Sequence, residues 1–306
     1  MGTVIEGAAL CAPDGGEAPP SSVALAAGAG RNVLSETSST LEEIGLLVNT
    51  GVYRDGHICE PAMAPLILRA MSTAPDGEIS SPSGPFAFDL ANGAGGVLTA
   101  FHAVDALLRT RGIGAALVVA SDVDPTPTIS AGCDFECLGG AVMLSRGPPG
   151  SGFRDFRFDT SAGDAKLLEG RLDWLDESEP VRGKRTTLRF LIRRSESFAE
   201  RSAVLARGTC VALLESHGLA VDDVDLVVVS RFPADLPERM ADALGIGPDR
   251  VASGSAAAYT AGPVSGLTAA LADGRFRAAR RVLFIAVGAG ITTCAAIYRS
   301  ADGESA

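Results

Sequence analysis

Three side chains able to do chemistry stand within four positions in VYRDGHICEPAMAP, residues 52–65: His57, Cys59 and Glu60, just ahead of Pro61. A carboxylate such as Glu60 becomes a general base near neutral pH when burial raises its pKa. At a helix start it can instead cap the helix or pair with Arg54. Pro61 is placed for the first turn of such a helix. His57 and Cys59 are the types of a base–nucleophile pair, a role set below a structural one. Cys133 and Cys137 stand at C-x3-C spacing without a second pair or a nearby His, so they read as small buried groups and not as metal ligands. His102 lies in an apolar run and reads as a core histidine. His217 falls at the end of a helical run, where a cation suits the dipole. RGKRTTLRFLIRR, residues 182–194, is a basic run in an acidic chain. Arg185, Arg189 and Arg193 recur every four residues and would share one helix face. That face can receive an acidic protein or phosphates, or be a solvated face paired with Glu196 and Glu200.

FDLANGAGGVL, residues 88–98, has the grammar of a strand, an elbow and a helix. Elbows of this kind present nucleophiles. Here the elbow holds Ala94, Gly95 and Gly96, none able to attack a carbonyl. Small residues at this point also let a buried helix approach a sheet, and that reading agrees with an elbow that has lost its catalyst.

The elements that would position these groups alternate. TVIEGAAL, EIGLLVNTGV, AALVVASDV, GGAVMLSR, FRFDTSAG, DLVVVS, RVLFIAV and TTCAAIYR read as strands. SSVALAAGAGRNVLSE, with Ser22 near its cap, PAMAPLILRAMS, GVLTAFHAVDALLRT, the region 186–218 closed by Gly218, PERMADALG and AGPVSGLTAALADG read as helices. RGPPGSGF is a Pro/Gly linker that divides the chain into halves, 1–150 and 151–306. The halves echo each other: AGGVLTAFHAVDALLRTRGIGAALVVASD and AGPVSGLTAALADGRFRAARRVLFIAVGA share an Ala-Gly turn, a small-residue helix and an apolar strand. The alternation argues for an α/β architecture with a central helical layer between sheets.

The chain has 306 residues, 46% apolar and 21% charged, with net charge −11. That composition builds a large core. The negative charge opposes nucleic acid as a partner. No apolar run approaches the ~18 residues of a membrane span, and the first 30 residues do not read as a signal peptide. The expectation is a cytoplasmic protein whose six cysteines are reduced.

Three of these motifs, in this order, resemble the thiolase superfamily, and within it β-ketoacyl-acyl-carrier-protein synthase III. FDLANGAGG stands against F-D-x-x-x-x-C-S-G, AALVVASDVD against the strand after the nucleophile helix, and VLFIAVGAGITTCAAIYR against the C-terminal glycine turn and final strand. The resemblance implies a five-layered αβαβα fold of two duplicated halves, pairing of subunits into a dimer, acyl carrier protein or acyl-CoA as the substrate carrier, and no cofactor or metal. It puts the nucleophilic Cys at Ala94, or at Gly95 if the elbow shifts by one. The family's H-Q-A-N falls on SRFP, with Ser230 for His and Pro233 for Asn. Its G-N-T-S-A falls on AYTAG, with Tyr259 for Asn.

Decarboxylative condensation needs a thiolate to hold the acyl group and neutral donors at the thioester oxygen. Ala94 supplies no thiolate. The expectation is a subunit without its own nucleophile, pairing with a Cys-bearing homologue or with itself in fatty-acid-like or polyketide-type biosynthesis. In some relatives a glutamate from this region serves as base across the dimer, which makes Glu60 the candidate. The resemblance places the carrier-binding surface near Arg185, Arg189 and Arg193. The alternative is a stand-alone acyl-thioester transferase or hydrolase built on Glu60, Ser230 and Tyr259.

Overall fold

The computed structural model describes residues 2–15, 20–73, 84–110, 112–127, 130–174, 188–254 and 258–300. Residues 3–146 build one sheet: β1 (Thr3–Cys11), β2 (Ile44–Asn49), β3 (Phe86–Asp89), β4 (Ala115–Asp122) and β5 (Leu138–Arg146). Residues 152–299 build a second: β6 (Gly152–Thr160), β9 (Leu226–Val229), β10 (Val251–Ala252), β11 (Arg281–Gly288) and β12 (Thr292–Arg299). A separate hairpin joins β7 (Leu168–Trp174) to β8 (Leu188–Arg194). The helices are α1 (Ser22–Glu36), α2 (Met63–Ser72), α3 (Gly96–Thr110), α4 (Phe198–Ser216), α5 (Leu236–Leu244) and α6 (Gly262–Ala272).

The spatial orders are β1-β5-β4-β2-β3 and β6-β12-β11-β9-β10. Numbered within each half, both read first, fifth, fourth, second, third. In both, the fifth strand runs antiparallel to the fourth and the second parallel to the third. β4 and β11 are apolar along nearly their whole length because both faces of the sheets are covered. Three clusters of buried side chains fill the gaps between layers. α1 and α2 pack on the outer face of the first sheet through Ala26, Val33, Met63 and Ile67. α3 and α6 lie between the sheets through Val97, Phe101, Val264 and Leu267. α4 and α5 cover the outer face of the second through Ala206, Leu213, Leu236 and Met240. The order of layers is α, β, α, β, α.

Three local readings differ from the sequence expectation. Residues 188–194 form β8, and only Phe198–Ser216 is helical. Leu, Phe and Ile fit helix and strand patterns alike over these seven residues, and cross-strand pairing with β7 decides the outcome. α2 starts at Met63, so Pro61 lies ahead of its first turn. α1 is capped by Ser21, whose hydroxyl accepts from Ala24 N–H at 3.2 Å.

Candidate functional site

The elbow follows β3 directly. Gly95 N–H donates to Asn92 O at 3.1 Å and Gly96 N–H to Gly93 O at 3.0 Å, a tight double turn that Gly93 enters with φ of +51°. An L-residue is strained there. A Cβ on Gly95 would stand 2.6 Å from Cys294 Sγ, and one on Gly96 3.0 Å from Thr50 Cβ. The run of small residues is therefore demanded by packing of α3 on its neighbours. Ala94 has no exposed surface, and its methyl joins a buried cluster with Phe135, Phe190, Phe198, Phe232 and Tyr259.

Tyr259 reaches this elbow from the turn ahead of α6. Its phenol oxygen faces the elbow, 2.9 Å from where a Cβ on Gly93 would stand, with the Ala94 backbone and the Tyr53 hydroxyl beside it. Tyr53 packs at ring-centroid distances of 5.1 Å on Tyr259, 5.2 Å on Phe135 and 4.7 Å on Phe190, and Phe232 meets Tyr259 edge-on at 4.7 Å. Burial is the main cause that pushes the Tyr259 phenol up to about 12 and raises that of Tyr53 further. Both stay neutral at physiological pH. Ser230 ends β9, is fully buried, and its hydroxyl has no partner among the described residues. The thiol beneath the elbow, Cys294, is pushed up to about 12 by burial, which leaves it without thiolate character.

Two carboxylates that the sequence reading passed over hold this region. Asp122, at the end of β4, is fully buried and accepts from Val52 N–H at 3.0 Å and Tyr53 N–H at 2.8 Å on one oxygen. On the other it accepts from Thr260 N–H at 2.8 Å and Thr260 Oγ1 at 2.5 Å. Desolvation raises its pKa and these four donors oppose the rise. Asp89, the acid of the F-D motif, accepts from Met63 N–H and Ala64 N–H at 2.9 and 2.8 Å, so it caps α2. It also accepts from Asn49 Nδ2 at 3.2 Å and pairs with Arg54 at 2.9 Å. Their position in the motifs, at the ends of β3 and β4, was the available signal.

Glu60 is thus neither the cap of α2 nor the partner of Arg54, because Asp89 fills both roles. Glu60 is exposed on the loop before α2 and makes no ion pair among the described residues. His57 and Cys59 do not form a base–nucleophile pair. Cys59 Sγ faces the His57 carbonyl oxygen at 3.5 Å, while the imidazole packs edge-on against Phe190 and burial lowers its pKa.

Residues 214–300, which include Ser230 and Tyr259, match the family model described as 3-oxoacyl-[acyl-carrier-protein (ACP)] synthase III C terminal. The 3-oxoacyl-[acyl-carrier-protein] synthase III of Aquifex aeolicus VF5 superposes with a TM-score of 0.77 at 17% identity, over 97% of this chain and 100% of that one. The Thermus thermophilus synthase III gives 0.77 at 19% identity, over 98% and 99%. A Xanthomonas campestris OleA variant gives 0.76 at 17% identity, over 97% and 98%. The fold is that of a ketosynthase III. No curated protein matches the sequence itself.

The remaining candidates fall at the margins of this ketosynthase III-like fold. Arg189 and Arg193 lie on β8, not on a helix, and still share a face because they are an even number of residues apart. Their cross-strand neighbours are Asp173 and Glu169. Arg185 lies outside the described residues. The hairpin that carries them is stitched to the loop before β5, with Ala131 N–H donating to Phe190 O and Ile192 N–H to Ala131 O at 3.0 and 2.9 Å. His102 is exposed, its ring 4.9 Å from Phe156, and is not a core residue. His217 is the C-cap residue of α4 and meets Asp155 at 2.9 Å. Cys133 and Cys137 are only partly buried. Burial, with Asp124 nearby, pushes the Cys133 thiol up to about 12. No helix among the described residues is long and apolar enough to cross a membrane.

Proposed function

We propose that this chain is a ketosynthase III-like subunit that forms no acyl-enzyme of its own and pairs with a Cys-bearing homologue in a condensing enzyme of fatty-acid-like or polyketide-type biosynthesis. One observation carries the reading: at the elbow where such a fold would carry its nucleophile stands a buried methyl group, with the Tyr259 phenol packed beside it. Condensation through this fold needs a thiolate to hold the acyl group. A partner subunit supplies it. This chain contributes the scaffold of the pair, and exposed Glu60 is the group it offers across the interface as a base.

Among the described residues β3 is the outermost strand of its sheet, and this supports pairing. Phe86 on that strand is 66% exposed, and an apolar cavity of about 560 Å³ beside it is bounded by Gly45, Phe86, Leu107, Gly112 and Ile113. An edge strand with a large exposed aromatic side chain is a surface that favours a second strand. Acyl carrier protein or acyl-CoA serves the pair, and Arg193, exposed with Arg194 among the described residues of the basic run, is the group we assign to it.

The stand-alone reading finds less support. Ser230 has no base beside it, and the Tyr259 phenol stays protonated. The test is co-expression with a homologue from the same genome that carries Cys at the elbow. A 1:1 complex by light scattering is expected, with condensation that Phe86→Glu abolishes along with the complex. A stable homodimer of this chain that excludes the homologue, or thioester turnover by this chain alone, overturns the proposal.

A further inference from the structure

A thioester bound at the elbow of this fold needs two things from the chain: a backbone donor for its carbonyl oxygen and space for its acyl group. Neither is free. The Tyr259 phenol stands against the elbow, its oxygen beside the Ala94 backbone and 2.9 Å from where a Cβ on Gly93 would lie, and the Tyr53 ring packs on it at 5.1 Å. The surrounding volume is filled by the rings of Tyr53, Phe135, Phe190 and Phe232, and Ala94 and Tyr259 are 0% and 3% exposed. We propose that Tyr53 and Tyr259 form an internal plug, which takes the place of the acyl thioester and closes this pocket to substrates whatever side chain stands at position 94.

Three features show that the plug is built into the fold and is not a chance collapse of side chains. Both tyrosines hang from one carboxylate. Asp122 holds the Tyr53 backbone N–H with one oxygen and the N–H of Thr260, the residue after Tyr259, with the other. Two glycines leave room for the two phenol oxygens. A Cβ on Gly93 would lie 2.9 Å from Tyr259 Oη, and one on Gly170 would lie 3.0 Å from Tyr53 Oη. The rings also come from five separate segments: the loop after β2, the loop before β5, strand β8, the loop after β9 and the turn before α6. Close packing of this kind leaves no space for a ligand without displacing a ring. The proposal rests on Ala94 standing at the nucleophile position of this fold. It does not depend on pairing with a homologue.

The test returns a thiol to the elbow. Full-length Ala94→Cys and Ala94→Cys/Tyr259→Asn are treated with N-ethylmaleimide, and labels are counted by intact and peptide mass, with exposed Cys59 as the internal reference. The thiol placed at 94 by the single change should label at least ~10-fold more slowly than Cys59, since it reacts only through local opening. Cutting back Tyr259 should recover most of that factor while buried Cys210 and Cys294 stay unlabelled. If Tyr259→Asn unfolds the chain, which labelling of Cys210 would report, Phe190→Ala opens the same chamber from the hairpin side. Labelling of Ala94→Cys alone at the rate of Cys59 overturns the plug. So does a thiol that stays silent after both cut-backs in a folded chain. A chain that refuses every homologue but shields the thiol loses the subunit reading and keeps the plug.

Discussion

The polar groups around the elbow divide into two sets with opposite character. Asp89 and Asp122 are each satisfied by four donors, drawn from segments far apart in the chain. At Ala94, Ser230 and Tyr259 stand a methyl group, a hydroxyl without a partner among the described residues, and a buried phenol. On the proposed reading the frame of a reaction centre is kept and the centre is filled. A fold of this size tolerates that exchange because stability resides in the frame. Buried polar groups are costly only when unpaired, and here nearly all of the pairing belongs to the two acids.

The comparison breaks most sharply at Asp122. Asp122→Ala leaves the N–H groups of Val52, Tyr53 and Thr260 without an acceptor in a dry interior. Each orphaned donor costs about 1–3 kcal/mol, so a loss of at least ~3 kcal/mol is expected. It should be read as a fall in the urea midpoint with an unchanged slope. A loss below ~1 kcal/mol would mean that the acid is not the tie between the halves. Asp89→Ala ranks second. It removes the cap of α2 and the partner of Arg54, both partly accessible to water, and should cost about 2 kcal/mol. Asp89→Asn should recover part of the loss by keeping an acceptor for Met63 and Ala64.

Tyr259 lies between the two sets and should show an intermediate effect. Tyr259→Phe keeps the ring and removes the phenol oxygen that lies beside the Ala94 backbone, for an expected loss of about 1 kcal/mol. Its pH signature separates it from a generic packing defect. The folded phenol titrates at about 12, above the value of about 10 for a free tyrosine. A raised folded pKa means that the native state retains the proton longer than the unfolded one. The contribution is thus complete below about pH 10 and disappears as pH climbs from about 10 to about 12. Stability should fall across that window in the parent chain, and less steeply in Tyr259→Phe. Tyrosinate absorbance of the native protein in a Tyr298→Phe background should stay flat through pH 10. A rise with a midpoint near 10 would show the pair to be solvated.

Much of this fold was legible in the residues. Apolar strands and small-residue helices follow from period and composition, and the echo of AGGVLTAF and AGPVSGLT foretells the shared topology of the two sheets. β8 was not legible: LRFLIRR gains its strand conformation from β7, a partner no local pattern reveals. The candidate positions Ala94, Ser230 and Tyr259 were named by their place in a motif. The rings that surround them were not readable. Tyr53 and Phe190 carry no motif, and their meeting with Tyr259 depends on a hairpin and a carboxylate from different parts of the chain. Glu60 was read as a helix cap or Arg54 partner because it directly precedes Pro61. Asp89, adjacent only in space, takes those roles through β3.

The smallest effect is the most discriminating between the two readings of the site. On the proposed reading Ser230 stands where such a fold would carry an imidazole, and a catalytic role would require a base or an acceptor for its hydroxyl. The structure gives it neither. A buried hydroxyl without a partner costs desolvation energy in the native state and returns nothing. Ser230→Ala removes that cost with a loss of one atom's volume. The expected change in stability is therefore within about 0.5 kcal/mol of zero, or a small gain. Any activity of the chain with its partner should be retained within twofold. A catalytic serine would lose most of its turnover on the same change, so a kcat reduced at least ~10-fold with unaltered stability would restore the stand-alone reading and place the reaction back in this chain's own interior.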